Sequence, residues 1–343
     1  MDTQERMIMS MIQGFSTYLL YTACELKLFD YLYQEKMNLT ALSKETAVEE
    51  EMLYRLLRPL VGLRLLQEEK GHFSLTPLGA RLAKDAHNSL QGLVLFCGRE
   101  CMGCWSKMYE AIKLRTLPCL LIEKKPFFEA QQEDDRKFAT FNAMMRNSTR
   151  NLDLLPYFKE QTSITAVRTI VDIGGGAGDN IARFLGFYPN ADGLILDLKH
   201  VKNEARNNLH MYNLSERCKF AEGNFFEKIN AKADLFILSR ILHDWEDSKA
   251  SKILTNTCHA MSANSTLLVI EKVLPNTLDS DDSVQLYMSD LYIWSMCGGK
   301  ERTEAEFNRL FSQNGLVLKR KYKLPADEYV LELTKKYEEG MIC

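Results

Sequence analysis

No stretch of the 343 residues is long and apolar enough to cross a bilayer: the most apolar early run, Tyr18–Cys24, is cut short by Glu25. Basic charge is not in surplus either, since 43 Lys and Arg face 46 Asp and Glu for a net charge of −3. That balance excludes a general nucleic-acid-coating protein and a polybasic membrane anchor. The first residues include Asp2 and Glu5 and lack the basic segment, apolar core and cleavage site of a secretory leader, so none is expected. Gly-Lys-Ser and Gly-Lys-Thr do not follow any glycine run, which rules out a phosphate-cradling P-loop. Nine cysteines, an odd number without a secretory context, imply free thiols in a reducing cytoplasm. Cys101-Met-Gly-Cys104 has no second pair at zinc-ribbon spacing, so helix packing is expected there. No cluster of His, Asp and Glu at ligand spacing calls for a metal, and repeats and low-complexity linkers are missing.

What is present is an ordinary globular composition, 46% hydrophobic and 26% charged, with length for two domains. The most informative stretch is Thr169-Ile-Val-Asp-Ile-Gly-Gly-Gly-Ala-Gly-Asp-Asn180. A short β-branched run of the kind buried on both sheet faces ends in glycines 174, 175, 176 and 178, and helical spacing resumes at Ile181. Such a turn lets a ligand approach the backbone and the helix N-terminus. The spacing is tighter than the dinucleotide fingerprint, and Asp172 lies inside the strand. A glycine-rich turn of any α/β fold is the alternative. A second apolar run, Gly193-Leu-Ile-Leu-Asp197, ends in a carboxylate 19 positions after Gly178. That is close to the offset of about 20 at which an acid meets a ribose hydroxyl.

Ahead of this core, residues 1 to about 35 read as one helix with apolar positions on more than one face, including Met7, Met11, Phe15, Leu19 and Leu20. A short helix at 39–45, opened by Thr40, precedes a second at 49–61 that Pro59 should kink or end early. Leu65 to Leu75 then reads as a hairpin turning at Lys70-Gly71. Helix, helix, hairpin is the order of a winged helix. Such a unit can bind DNA through its second helix, here with Arg55 and Arg58. Residues 1–100, however, hold 11 Lys and Arg against 13 Asp and Glu, so the phosphate-neutralising surplus is missing and packing and dimerisation are expected instead. Residues 101–160 read as connecting helices, with a loop at 116–119. From 161 onward strands alternate with helices at 169–173, 194–197, 218–221, 233–238 and 265–270. The expected fold is α/β, a Rossmann-like doubly wound sheet behind an N-terminal, mostly helical winged-helix domain.

Ligands of such sheets sit at the carboxyl ends of the strands. His243 follows the 233–238 strand there, with Asp244 adjacent and Trp245 able to wall a pocket. Glu271 ends the next strand, and Glu301 follows Gly298-Gly-Lys300. A buried structural histidine is the alternative for His243.

With Val171-Asp-Ile-Gly-Gly-Gly-Ala-Gly178, Ile241-Leu-His-Asp-Trp245, Glu271 and Gly298-Gly-Lys-Glu-Arg-Thr303, the chain resembles the S-adenosylmethionine-dependent small-molecule O-methyltransferases of secondary metabolism. That group includes acetylserotonin O-methyltransferase, plant caffeate and flavonoid enzymes, and bacterial tailoring enzymes. The resemblance covers nearly the whole chain. It implies an intertwined homodimer and no nucleic-acid or membrane partner. It also implies S-adenosylmethionine as cofactor and a small aromatic acceptor. His243 matches the family's base, and Glu271 and Glu301 the flanking carboxylates. Asp172, Gly174, Gly176, Asp197, Asn224, Phe225 and Ser239 fall at cofactor positions. Phe141, Met145 and Trp245 fall at acceptor positions. Asn224 stands where the family usually has Asp, and Ser239 where plant members often carry Lys. Two alternatives remain: use of the same cofactor without methyl transfer, for hydroxylation, decarboxylation or rearrangement, and a winged-helix regulator that senses S-adenosylmethionine.

The residue types suit the chemistry. A phenol near pKa 10 and an unperturbed imidazole near 6.5 make full proton transfer about 5 kcal/mol uphill, which concerted removal during attack avoids.

Overall fold

A computed structural model describes residues 15–86, 88–160, 164, 166–277, 284–325 and 327–336. Met7 and Met11 lie outside the described residues. The chain forms two compact units, one of residues 1–107 with 131–148, the other of 108–130 with 149–343. The 101–160 stretch is thus shared between them.

In the first unit the expected long helix is two, Phe15–Glu25 and Leu28–Gln34, because Lys27 adopts a left-handed backbone with φ 57°. The break lets Leu28 and Phe29 turn fully inward. Strand β1 (Met37–Asn38) leads into helix Leu39–Thr46, and Asn38 caps it by accepting the Ala41 N–H at 2.8 Å. Thr40 is already inside the first turn, so it cannot cap. Helix Glu50–Gly62 contains Pro59 without ending early: buried Leu57 and Leu60 hold the last turn, and Leu63 N–H donates to Pro59 O at 2.8 Å. Arg55 is paired with Glu51 at 2.8 Å, and Arg58 lies over the Tyr54 ring.

Strands β2 (Leu66–Glu69) and β3 (His72–Leu75) form the expected hairpin. Lys70 and Gly71, both at positive φ, make its two-residue turn. β3 also pairs with β1, completing a three-stranded sheet. Cys101 and Cys104 are buried, outside any disulfide, in a continuous run of helical turns.

The second unit is built on strands β4 (Thr169–Ile173), β5 (Asp192–Asp197), β6 (Cys218–Glu222), β7 (Leu235–Ser239), β8 (Thr266–Leu274), β9 (Arg302–Thr303), β10 (Leu316–Lys323) and β11 (Glu328–Lys335). The order β10-β11-β8-β7-β4-β5-β6 places five parallel strands beside an antiparallel terminal hairpin, with β9 added to the end of β8. This is the expected doubly wound α/β sheet. Its central strands are apolar on both faces: Ile170, Ile195, Ile237 and Leu268 join one core, Val171, Phe236, Leu267 and Val269 the other. The hairpin β10–β11 and the strand β9 were not expected from sequence. Pro118 opens helix Pro118–Glu123 instead of lying in a loop, a position where its missing N–H costs nothing. No helix among the described residues is long and apolar enough to cross a membrane. Parallel pairing brings the carboxyl ends of β4, β5, β7 and β8 to one edge of the sheet.

Candidate active site

The glycine loop leaves β4 with φ values of 69°, 53° and 82° at Gly174, Gly176 and Gly178, conformations that L side chains rarely adopt. A Cβ at Gly174 would stand 2.5 Å from Ile241 Cδ1, whereas one at Gly176 would meet nothing within 4 Å. Open space therefore lies over Gly176, at the mouth of helix Asp179–Phe187. The Asp197 carboxylate folds back on this loop: Oδ2 accepts the Gly176 N–H at 2.8 Å and Oδ1 accepts that of Leu198 at 2.6 Å. Each oxygen keeps a further lone pair, and burial raises the carboxyl's pKa. Asp172 is 1% exposed, and its Oδ2 has no hydrogen-bond partner. Burial first, and then the charge of Asp197, push it up to about 8. An orphaned buried acid beside an open glycine cradle fits a ligand that brings cationic or hydrogen-bonding groups.

Asn224 Oδ1 accepts the Phe226 N–H at 3.0 Å, which fixes the loop after β6. Phe225 comes 3.5 Å from the position a Gly174 Cβ would take, so it closes one side of the loop. Ser239 ends β7 two residues past Ile237, the partner of Asp172. The positions expected to meet a cofactor thus gather from four strand ends at the same sheet edge.

The residues expected to react, His243, Glu271 and Glu301, lie on the turn after β7, on β8 and beside β9. Arg240 turns out of β7 with φ 54°, and its buried guanidinium is held in a fork by Glu328, at 2.6 and 3.1 Å. The turn 241–245 that follows is gripped along both polar edges. Glu271, expected just past a strand end at 270, lies inside the longer β8, and its Oε1 accepts the N–H groups of Ile241, Leu242 and His243 at 3.0, 2.8 and 3.4 Å. On the other edge Lys300 N–H donates to His243 O at 2.9 Å, and Arg302 donates to Leu242 O and Trp245 O, both at 2.8 Å. Arg302 is fully buried and also pairs with Asp247. Sequence patterns did not mark it, because its partners are mostly main-chain carbonyls.

The result is a compact cluster. His243 Nδ1 lies 3.4 Å from Glu271 Oε2 and 3.4 Å from Glu301 Oε1, and Nε2 lies 3.5 Å from Asp244 Oδ1. Burial alone would lower the imidazole's pKa. The charges of Glu271, Asp244 and Glu301 outweigh it and raise His243 to about 10. Burial in turn raises Glu271 to about 7 and Asp244 to about 6, despite the favourable charge of His243. Ligand atoms of His243, Glu271 and Glu301 lie within 4.8 Å of one another, a composition that can hold a metal ion. Its members are far apart in sequence: His243 lies in the turn after β7, Glu271 within β8 and Glu301 directly before β9, so no ligand spacing marks them as one cluster.

Trp245 stacks on Phe128 (5.3 Å, 27°) and meets Phe226 and Phe225 edge-on, forming an aromatic wall two residues from His243. Phe128 was not singled out in the sequence. Phe141 and Met145 belong to the other unit, on helix Asp135–Asn151, where Phe141 packs against Phe96 at 5.9 Å.

Residues 120–317 match the model of the O-methyltransferase domain, and residues 9–85 that of the O-methyltransferase dimerisation domain. The chain is 32% identical to the O-demethylpuromycin-O-methyltransferase of Streptomyces alboniger over 318 residues, 91% of this chain and 83% of that protein. It is 28% identical to the acetylserotonin O-methyltransferase of Bos taurus, over 86% of this chain and 87% of that one. The crystal structure of human N-acetylserotonin methyltransferase in complex with SAM superposes with a TM-score of 0.88 at 25% identity, covering 98% of this chain and 99% of that one. An α/β sheet with a glycine cradle at its carboxyl edge, preceded by a dimerisation domain and matched along nearly all of its length, makes this chain a member of the S-adenosylmethionine-dependent O-methyltransferase family.

Proposed function

We propose that the protein methylates a hydroxyl of a small aromatic acceptor, a phenol, hydroxyindole or quinol, with His243 as general base. The observation that carries this reading is the imidazole held through Nδ1 between Glu271 and Glu301, which leaves Nε2 on the opposite side. Bound S-adenosylmethionine supplies a methyl group on a sulfonium, open to in-line attack by an oxygen. His243 Nε2 takes the proton from that oxygen as the attack proceeds. The two carboxylates fix the tautomer, with the proton on Nδ1, and stabilise the imidazolium that forms. They also bring the base level with the acceptor. An imidazolium near 10 and a phenol near 10 exchange a proton at almost no cost, where an unperturbed imidazole would face about 5 kcal/mol. Trp245, with Phe128 and Phe226, supplies apolar surface for an aromatic ring.

Asp172, Gly174, Gly176, Asp197, Asn224, Phe225 and Ser239 are the positions assigned to the cofactor. Asp197→Ala is expected to weaken binding of S-adenosylmethionine and S-adenosylhomocysteine by about 1–3 kcal/mol for each buried hydrogen bond lost. Calorimetry checks it, and an unchanged affinity removes Asp197 from the site. Incubation with methyl-labelled cofactor and a panel of phenols, hydroxyindoles and quinols tests the function as a whole. Cofactor binding without label transfer to any acceptor would favour chemistry that leaves the methyl group in place.

The dimerisation domain is assigned to a homodimer of this chain. Phe15 and Tyr18, 74% and 47% exposed on the first described helix, are apolar surface that a second copy would cover. Sedimentation at micromolar concentration is expected to give twice the chain mass of 39.5 kDa. A folded, active monomer would refute the assignment.

A further inference from the structure

The two carboxylates at His243 Nδ1 stand at equal distance but are wired differently. Glu271 spends one oxygen on the three N–H groups of the turn. The Oε1 of Glu301 instead accepts from Ser289 Oγ at 2.9 Å, and Ser289 Oγ accepts from Lys272 Nζ at 2.7 Å. A hydrogen-bonded line therefore runs from an ammonium through a hydroxyl to a carboxylate, whose Oε1 stands 3.4 Å from the imidazole Nδ1 as an ion-pair contact. It joins β8 and helix Val284–Cys297 to the segment carrying Glu301. Lys272 directly follows Glu271 in β8, so one strand supplies both a carboxylate and the cation that serves the other carboxylate.

We propose that Lys272 and Ser289 are positioning residues for the proton transfer: they keep Glu301 charged and aimed at Nδ1, so that Glu301 holds the imidazole's tautomer while Glu271 holds the turn. This rests on the general-base reading of His243. Charged and titratable groups face Glu301 from each element around it. They are His243 and Asp244 on the turn, Glu271 and Lys272 on β8, Asp290 on the helix, and Lys300 beside it in the chain. Asp290 Oδ1 accepts the Glu301 N–H at 2.9 Å, an anion that by itself disfavours a charged Glu301. Burial opposes the charge as well, yet His243, Lys272 and Ser289 together bring Glu301 below the usual carboxylate value. Glu271, without an ammonium partner, goes the other way. Removing one positive charge from such a cluster raises all of its proton affinities, because each acid then sits in a more negative field.

The test uses Lys272→Met, Ser289→Ala and Lys272→Arg in the full-length enzyme. In the first two, kcat at neutral pH is expected to fall about tenfold, the change that one pK unit produces in the reactive fraction. The deficit should shrink as pH rises, because the whole pH–rate profile moves upward. Acceptor KM and cofactor Kd should stay unchanged, and Lys272→Arg should restore most of the rate. A loss that is equal at every pH, or an arginine variant as slow as the methionine one, would overturn the proposal. So would profiles that coincide with the wild type. A second measurement does not depend on turnover: 13C NMR titration of the Glu301 carboxyl in the free protein, assigned through Glu301→Gln. Its midpoint is expected to rise in both Lys272→Met and Ser289→Ala, and an unmoved midpoint overturns the wiring whatever the activities. A raised midpoint combined with normal methylation by His243→Ala would sink the base assignment and leave the wiring in place.

Discussion

Replacement of His243 by alanine is expected to lower kcat by about 10²–10⁴-fold while cofactor affinity barely changes. In the proposed mechanism the imidazole takes the acceptor's proton, and its ion-pair contacts are with Asp244, Glu271 and Glu301, not with the glycine loop. The pH dependence has a definite sign. With a folded-state pKa raised to about 10, His243 carries its proton at neutral pH, and the free-base fraction grows tenfold per unit up to that point. The wild-type rate should therefore climb between pH 7 and 10 and then level off. The alanine variant should be partly rescued in the same range, since solvent then ionises the phenol unaided. Glu271→Gln should cost less than the loss of the base itself. A His243→Ala enzyme with a near-normal rate at neutral pH would eliminate the general-base role, and one that no longer binds cofactor would make the histidine structural.

Gly299→Ala should rank next. A Cβ there would lie 1.9 Å from the His243 carbonyl oxygen and 2.5 Å from the Asp244 carbonyl carbon. Both are main-chain atoms, so no rotamer change can relieve the overlap. Segment 299–302 must back away from the turn, giving up the Lys300-to-His243 bond and straining those of Arg302. A displacement of about 1 Å at a catalytic group is enough for a loss of about 10²-fold in kcat. Melting temperature should fall with it, as backbone partners in a buried turn are separated. Gly298→Ala makes a useful contrast. Its added Cβ meets only the flexible Leu117 side chain, at 3.0 Å, although its φ of 79° brings strain of its own. A Gly299→Ala enzyme with wild-type kcat would show that this segment does not hold the turn.

Much of the catalytic unit was legible because its strands are buried on both faces. Ile170-Val171, Leu194-Ile195-Leu196 and Leu267-Leu268-Val269-Ile270 are continuous apolar runs that few other structures tolerate. The glycine loop after β4 and the placing of His243 after β7 followed from the same signal, whereas Glu271 falls within a β8 longer than expected and Glu301 directly before β9. The terminal hairpin was not legible. Leu316-Val-Leu-Lys-Arg-Lys-Tyr-Lys323 is basic, and it becomes a strand through pairing with β11, which in turn pairs with β8. Arg302 stands inside the motif Gly298–Thr303 but had no role assigned, because main-chain carbonyls, its chief partners, carry no residue signature. The break at Lys27 was hidden too, since it rests on a left-handed conformation at a residue that rarely adopts one. Asn38 and Thr40 are both good caps by residue type, and only the start of the helix, two positions apart for the two choices, decides for Asn38.

The place of β11 bears on how the protein is made. β8 lies between β7 and β11, and β11 is the last strand described. On the ribosome, Thr266–Leu274 emerges with one edge unpaired and stays so for roughly 50 further residues, several seconds at about 5–20 residues per second. That edge carries Leu267-Leu268-Val269-Ile270, an apolar β-prone run of the kind that templates pairing between nascent chains. Arg240 likewise waits for Glu328 before its charge is matched. The strand that delivers Glu271 thus keeps an apolar edge open during synthesis until β11 arrives to cover it.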